Sequence, residues 1–277
     1  MVMQTSLREA MNARTITGSP TATHAGQTMV LAHGYGADQS AWDQILPALS
    51  QHYRVVVFDW SFSGAVKDPD FFDPAHHATY EGYADDLVGL IDEMGLESVV
   101  FVGHSMAGMI GCIASVKRPE LFTRLVLVGA SPRYMNDEDY QGGFDRSDIE
   151  GLMSNIETNF TSWTQAFAAM VVGGHAPAAV EKFAASLRRM RPEVALAAAK
   201  TVFYCDHRDV LEKITTPTTI VQTTRDVAVP TSVAYFMQER IRGKSTVEIM
   251  DTDGHFPHLT VPKELLGLLG GVLGFES

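Results

Sequence analysis

The stretch Gly103-His104-Ser105-Met106-Ala107 decides the fold that this sequence encodes. It lies between an apolar, mostly β-branched run at residues 99–102 and an apolar segment at residues 109–116 that has the composition of a helix. A strand that turns sharply into a helix holds one side chain in a strained, exposed position, and small neighbours let the strand and the helix approach each other. The pattern therefore predicts a nucleophile elbow with Ser105 as the nucleophile.

A serine hydroxyl reacts only when a base accepts its proton and a third group orients that base. Where an elbow of this kind occurs, the acid and the histidine follow the serine in the chain, each on a loop after a strand. Residues 218–223 have the composition of a short buried strand and lead to Asp226, and residues 246–250 alternate as a strand and lead to His255. We therefore predict that Ser105, Asp226 and His255 form a catalytic triad.

Other residues compete for two of these roles. Asp251 and Asp253 are too near His255 along the chain to approach it from the end of a separate strand, so they suit the acid role less well. His258 lies three residues after His255 and is an alternative base if the loop takes a different course. Gly254 favours His255, because a glycine gives the backbone the freedom that a buried imidazole often needs.

An oxyanion hole needs backbone N–H groups aimed at the developing negative charge. Met106 is expected to supply one N–H, and Tyr35 the other, from the loop at residues 33–36 that follows the apolar strand at residues 29–32. The glycines of this loop also suggest a phosphate-binding loop. That alternative is weak, since a third glycine is missing and Asp38 would repel a phosphate.

Composition bounds the class of protein. The chain has 277 residues, 45% of them hydrophobic, which is enough for one large core, and its formal net charge of −12 argues against a nucleic-acid-binding surface. It has no apolar run of about 18 residues, so no membrane span is expected. Cys112 and Cys205 are expected to be thiols in a reducing compartment. His76 and His77 lie in a polar loop without metal-ligand spacing, and neither a metal nor another cofactor is expected.

The order of elements predicts an α/β fold. Strand-like and helix-like segments alternate over residues 26–132 and return over residues 205–277, which predicts a mostly parallel central sheet with helices on both faces. Residues 133–204 contain four helix-like stretches rich in Phe, Trp and Met, and we interpret them as a lid over an apolar pocket. Residues 1–25 have no continuous apolar segment and are expected to form a disordered tail.

Several strings resemble one family within the α/β-hydrolases, namely the plant strigolactone and karrikin receptors and their bacterial relative RsbQ. The resemblance extends from about residue 27 to the end of the chain, and the strings from the lid region make it specific. The strings are HGYGADQSAW (33–42), FVGHS (101–105), RPELF (118–122), ASPRY (130–134), YQGGF (140–144), MRP (190–192) and DGH (253–255).

The resemblance implies a receptor built on a slow serine hydrolase. In the family, a butenolide enters a pocket under a four-helix lid, the serine attacks it, and the lid rearranges to recruit an F-box leucine-rich-repeat protein and a repressor. A cytoplasmic and nuclear location goes with that role. Matched by position, the pocket is expected to be lined by Tyr35, Phe144, Trp163, Phe167, Phe183, Phe203, Val227 and Ala228.

The sequence also departs from the two well-described receptor branches. The elbow continues as Met106-Ala107-Gly108 where those branches usually have Val-Ser-Ala, and Tyr35 replaces a phenylalanine. Both features are more similar to the third, DWARF-fourteen-like branch. Three functions stay open: a ligand-sensing receptor with slow hydrolysis, an ordinary carboxylester or lactone hydrolase, and a binding protein without catalysis. The intact triad argues against the third.

Overall fold

The computed structural model describes residues 5–18, 27–173 and 175–276. Within these ranges, seven strands form one sheet in the order β1-β3-β2-β4-β5-β6-β7. The strand β1 runs antiparallel to β3, and every other neighbouring pair is parallel. The strands are β1 (Arg14–Ile16), β2 (Thr28–Ala32), β3 (Arg54–Val57), β4 (Val99–His104), β5 (Phe122–Val128), β6 (Thr218–Arg225) and β7 (Ser245–Asp253).

Helices cover both faces of this sheet. Successive side chains of a strand point to opposite faces, and in β4 Val99 and Phe101 pack into one apolar core while Val100 and Val102 pack into a second. The predicted α/β fold, with a mostly parallel sheet between helices, is confirmed. The helices are α1 (Leu7–Ala10), α2 (Leu46–Leu49), α3 (Tyr80–Glu93), α4 (Met106–Lys117), α5 (Arg146–Thr158), α6 (Phe160–Val172), α7 (Pro177–Arg188), α8 (Pro192–Phe203), α9 (Thr231–Arg240), α10 (Pro257–Thr260) and α11 (Pro262–Leu273).

The helices α5 to α8 lie between β5 and β6 in the chain and form the lid. Asp145 and Asp148 close a capping box at the start of α5, and prolines occupy the first positions of α7 and α8, where the missing N–H costs nothing. The apolar faces of all four helices belong to the same core as α3 and α4. The lid is therefore packed on the body of the protein and shares its core.

The prediction of a disordered tail over residues 1–25 is wrong for the part that the structure describes. The helix α1 is capped by the Ser6 side chain, Met11 is fully buried, and β1 pairs with β3 at the edge of the sheet. A four-residue helix and a three-residue strand are too short to show a hydrophobic period, so no periodic pattern could predict them. Residues 1–4 and 19–25 of that prediction lie outside the described residues.

Two further features concern the cysteines and the lengths of the helices. Cys112 and Cys205 are both free thiols, and Cys112 is fully buried. None of the helices in the described ranges has the length and apolar character needed to cross a bilayer.

Candidate active site

Ser105 occupies a strained turn between β4 and α4. Its backbone angles are φ 56° and ψ −126°, a region that a residue with a side chain rarely adopts. The Ser105 N–H donates to the carbonyl of Val128 in β5 at 2.8 Å, which helps to hold the turn. A Cβ at Gly103 would lie 2.7 Å from the backbone of Ala107, so only glycine lets the strand and the helix meet this closely. The local sequence therefore builds a nucleophile elbow.

The three side chains predicted as a triad are in contact. The Nε2 atom of His255 lies 2.8 Å from Ser105 Oγ, and His255 Nδ1 lies 2.6 Å from Asp226 Oδ2. Asp226 follows β6 and His255 follows β7, so parallel strands deliver both to the carboxyl edge of the sheet where Ser105 stands. The geometry is that of a nucleophile, a base and an orienting acid.

The hydrogen bonds of Asp226 fix which oxygen faces His255. Oδ1 accepts from the N–H groups of Ala228 at 2.8 Å and Val229 at 3.2 Å, and Oδ2 accepts from Gln222 Nε2 at 3.1 Å as well as facing His255 Nδ1. A buried carboxylate beside Nδ1 favours the tautomer that carries its hydrogen there. In that tautomer, the Nε2 lone pair of His255 is free to accept the proton of Ser105.

The backbone at His255 is tied to the lid and to β4. The His255 N–H donates to Val171 O of α6 at 2.7 Å, and the His255 carbonyl lies 2.8 Å from His104 Nε2. Gly254 has φ +89°, and a Cβ there would lie 2.2 Å from Val172 O. Glycine before His255 is thus required by both conformation and space; the sequence predicts the conformational freedom, and the structure adds the close contact with α6.

The competing residues lie elsewhere. His258 is fully buried and stacks on Trp42 with ring centroids 4.4 Å apart, and burial, with a smaller effect of the nearby His255, lowers the pKa of His258 to about 3. Asp251 and Asp253 both form ion pairs with Arg225 at the surface, at 3.3 Å in the case of Asp251. Neither arrangement brings an alternative base or acid to Ser105.

The two residues predicted to form the oxyanion hole flank Ser105. Met106 is the first residue of α4, where a backbone N–H has no acceptor within the helix. A Cβ at Gly34 would lie 3.0 Å from Ser105 Cβ and 2.8 Å from His104 Nδ1, so the turn that carries Tyr35 packs directly against the elbow. The turn that carries Tyr35 and the first residue of α4 therefore both lie beside the nucleophile.

The side chain of Tyr35 connects this turn to the lid. Its hydroxyl donates to Ala195 O of α8 at 2.9 Å, and its ring packs edge-on against Phe167 and Phe203. Burial raises the pKa of Tyr35 well above its ordinary value, with a smaller contribution from Tyr83, so the hydroxyl stays protonated and remains a donor. The polar group that a tyrosine adds at this position finds its partner in the lid.

Sequence reasoning missed Tyr134 as a site residue. Its hydroxyl lies 3.0 Å from Ser105 Oγ, and burial raises its pKa well above the ordinary value. When Ser105 directs its proton at His255 Nε2, the Tyr134 hydroxyl is the donor in this contact. A signal was present, since Tyr134 closes a string that follows β5, the strand next to β4.

A small apolar cavity of about 30 Å³ lies over Ser105. Of the residues predicted to line it, Tyr35, Phe144, Phe167, Phe183, Phe203 and Ala228 do so. Further lining comes from residues that were not predicted: His104, Tyr134, Val171, Val202 and Phe256. Ligand pockets usually measure ~300–1,000 Å³, so a ligand larger than a few atoms requires movement of the lid or of these rings.

The predictions that Trp163 and Val227 line the cavity are wrong. Trp163 stacks on Phe167, with ring centroids 5.1 Å apart, and is not among the residues that line the cavity. Val227 is 51% exposed. It lies at the corner of the turn that brings the Ala228 and Val229 N–H groups to Asp226, and its side chain faces solvent.

Comparison with known proteins agrees with this geometry. Residues 27–262 match the model of the alpha/beta hydrolase fold family. The chain is 44% identical to strigolactone esterase D14 of Arabidopsis thaliana, over 96% of this chain and 97% of that protein. It is 41% identical to karrikin insensitive 2 receptor IA of Petunia hybrida, over 88% of this chain and 89% of that protein.

Among solved structures, a hydrolase from Oleispira antarctica superposes with a TM-score of 0.91 at 31% identity, covering 98% of this chain and 97% of that one. The resemblance found in the sequence strings is thereby confirmed along nearly the whole chain. The protein is a member of the α/β-hydrolase family and, within it, of the group that contains the strigolactone esterases and karrikin receptors of plants.

Proposed function

We propose that this protein hydrolyses ester or lactone bonds, with Ser105 as the nucleophile, His255 as the general base and Asp226 as the residue that orients His255. The observation that carries the proposal is the continuous chain of contacts from Ser105 Oγ to His255 at 2.8 Å and on to Asp226 at 2.6 Å. Relatives named as esterases support the same reaction class.

The reaction follows from these contacts. His255 Nε2 takes the Ser105 proton while Oγ bonds to the carbonyl carbon, and the N–H groups of Tyr35 and Met106 stabilise the oxyanion. The intermediate collapses when the bond to the leaving oxygen breaks, and that oxygen receives the proton from His255. Water, activated by the same imidazole, then hydrolyses the acyl-serine and restores the free enzyme.

The proposed ligand is a small butenolide of the strigolactone or karrikin type. The apolar lining suits such a ring, and the relatives are named for these compounds. A cavity of about 30 Å³ does not hold a butenolide in the closed form, so binding requires movement of the lid or of the lining rings, and we propose that the lid moves. Conformational steps of this kind often limit the rate, which supports slow turnover.

The receptor role belongs to the same proposal. Lid movement would expose a surface for an F-box leucine-rich-repeat protein and a repressor, in the cytoplasm and the nucleus, as in the family that the sequence resembles. The hydrogen bond from His255 N–H to Val171 O links the proposed catalytic base to lid helix α6, so a change at His255 is passed to the lid directly.

The test is intact-mass spectrometry after incubation with a synthetic butenolide that carries a fluorogenic leaving group. We expect a covalent adduct and slow product release with the wild-type protein, and neither with Ser105→Ala. Equal turnover in the Ser105→Ala variant would refute the assignment of the nucleophile. The ligand class would be refuted if the protein hydrolysed simple p-nitrophenyl esters but the butenolide produced no adduct, no turnover and no thermal shift.

An ordinary ester hydrolase without a signalling role is the second candidate. The close superposition on a bacterial hydrolase favours it. Steady-state kinetics separate the two: fast multiple turnover of simple esters, with no change in lid hydrogen exchange on butenolide binding, would favour the ordinary hydrolase.

A further inference from the structure

Two histidines and an aspartate meet at the start of helix α3, outside the proposed active site. His76 Nε2 lies 3.0 Å from one oxygen of the Asp86 carboxylate, and His77 Nε2 lies 2.9 Å from the other. The three potential ligand atoms lie within 4.8 Å of one another. Within the described ranges of the chain, this is the group of His, Cys, Asp and Glu side chains that is compact enough to hold a metal ion. We propose that His76, His77 and Asp86 form a binding site for a divalent transition-metal ion such as Zn²⁺.

The backbone around the cluster is built to bring these residues together. His76 and His77 belong to a short 3-10 helix that ends just before α3, and Asp86 lies in the second turn of α3. A Cβ at Gly82 would lie 1.8 Å from the carbonyl oxygen of His76, so glycine at this position lets the histidine segment fold back against the helix. Any other residue at position 82 would push His76 away from Asp86.

The ligand set and its spacing suit a transition-metal ion. Two imidazole nitrogens and one carboxylate oxygen are a common set for zinc, with bonds of about 2.0–2.2 Å and ligand atoms about 3.3 Å apart in a tetrahedron. Each imidazole nitrogen already lies within a few tenths of an ångström of that spacing from one carboxylate oxygen, and all three ligand atoms lie within 4.8 Å of one another, so side-chain rotation can close the set around an ion. His77 and Asp86 are buried, whereas the His76 side chain is 39% exposed, which leaves a fourth position open to water.

The surroundings of His77 also fit a metal ligand. Histidine ligands commonly donate their second N–H to a carbonyl, which fixes the tautomer. His77 Nδ1 lies 3.0 Å from Asp73 O and 3.1 Å from Asp73 N; in the tautomer that carries its hydrogen on Nδ1, that hydrogen is donated to Asp73 O and Nε2 is left for the ion. The ring of His77 is also stacked on Phe72 with centroids 5.3 Å apart. The orientation of this ligand is therefore set before any ion binds.

The site would stabilise the base of the lid. Thr201 of α8 donates to His77 O at 3.1 Å, so an ion that fixes His77 also fixes the segment on which the end of α8 rests. A metal ion that binds the folded protein and not the unfolded chain raises the apparent stability of the protein. We therefore expect Zn²⁺ to raise the melting temperature and to slow hydrogen exchange over residues 73–79.

The test uses the full chain with any affinity tag removed, stripped with a chelator and titrated with ZnCl₂ by calorimetry and with CoCl₂ by absorption spectroscopy. We expect one equivalent of Zn²⁺ to bind and Co²⁺ to show the visible bands of a four- or five-coordinate nitrogen and oxygen site. The variant His76→Gln changes a partly exposed residue and should fold normally; it should bind at least about tenfold more weakly. Asp86→Asn is a second variant with the same expected loss.

The matched control is His175→Gln, because His175 is an exposed histidine outside the cluster. Circular dichroism and ester hydrolysis without added metal check that every variant is folded. The proposal is supported if binding is retained in His175→Gln and lost in both cluster variants. It is overturned if Zn²⁺ does not bind the wild-type protein, if binding is equal in all variants, or if loss occurs in His175→Gln instead; in these cases the two imidazoles serve only as hydrogen-bond partners of Asp86.

Discussion

The variant Tyr35→Phe tests whether the Tyr35 hydroxyl holds the lid on the body of the protein. The hydroxyl donates to Ala195 O of α8 at 2.9 Å, and both residues are buried. The ring of the variant keeps its contacts with Phe62, Phe167 and Phe203. The backbone N–H proposed for the oxyanion hole is unchanged. The substitution therefore removes one hydrogen bond between the body and the lid.

The size of the effect follows from that bond. A neutral hydrogen bond contributes about 0.5–1.5 kcal/mol net to stability. Ala195 O retains the acceptor role that it has inside α8, so we expect a loss of about 1 kcal/mol, which shifts the lid equilibrium about fivefold toward the open form. Acylation at a subsaturating ester concentration should accelerate by about the same factor, because the competent fraction rises. The melting temperature should fall by about 2–4 °C.

Two measurements check this prediction: stopped-flow acylation by p-nitrophenyl acetate and hydrogen exchange of the amides in α8. The control is Tyr140→Phe, since the Tyr140 hydroxyl also donates to a backbone carbonyl, that of Arg133 at 3.0 Å, but makes no bond to α8. The reasoning is refuted if Tyr35→Phe leaves exchange in α8 and the acylation rate unchanged, or if Tyr140→Phe changes both by the same amount.

Three further substitutions test the site and the core beneath it. Asp226→Asn should lower kcat for ester hydrolysis about 10⁴-fold with little change in melting temperature, because the amide favours the wrong tautomer of His255; a loss under tenfold would contradict the role of Asp226. Gly34→Ala should lower kcat about 100-fold, because the new Cβ would lie 2.8 Å from His104 Nδ1 and displace the Tyr35 turn, and a steady-state assay that shows full activity would exclude this. His258→Gln should make the protein less sensitive to acid. Burial, with a smaller contribution from His255, lowers the pKa of His258 to about 3, so as the pH falls below about 6.5 the unfolded chain binds a proton that the folded chain does not, and stability is lost. Between pH 6 and pH 4, the free energy of unfolding measured by urea titration should fall about 1.4 kcal/mol less per pH unit in the variant than in the wild type. Equal slopes for the two proteins would count against this prediction.

The principal site residues could be predicted because their signals are local. Ser105 lies in a strand-turn-helix pattern that spans a few residues, and Asp226 and His255 each follow a strand in the expected order. Parallel strands in one sheet end at the same edge, so these positions along the chain already imply proximity. The described structure places the three side chains in contact.

The cavity wall was harder to predict. Trp163 and Phe167 lie one helical turn apart in α6, and only the packing of α6 on its neighbours decides that Phe167 lines the cavity while Trp163 does not. Tyr134, which contacts Ser105, lies 29 positions later in the chain, after β5. The periodicity of a helix predicts which face is apolar. It does not predict which of two aromatic residues on that face lines the cavity.

The sequence alone determined the elbow, the order of the acid and the base, the parallel sheet and the helical character of the lid. Each of these depends on a strand or helix period, or on a glycine beside a turn, that operates over a few neighbouring residues. Tertiary structure alone decided the volume over Ser105, the bond from Tyr35 to the lid and the meeting of His76 and His77 with Asp86. These features depend on how closely packed helices and strands fill space. Moving one element by about an ångström would leave the sequence pattern unchanged but would create or remove each of these contacts.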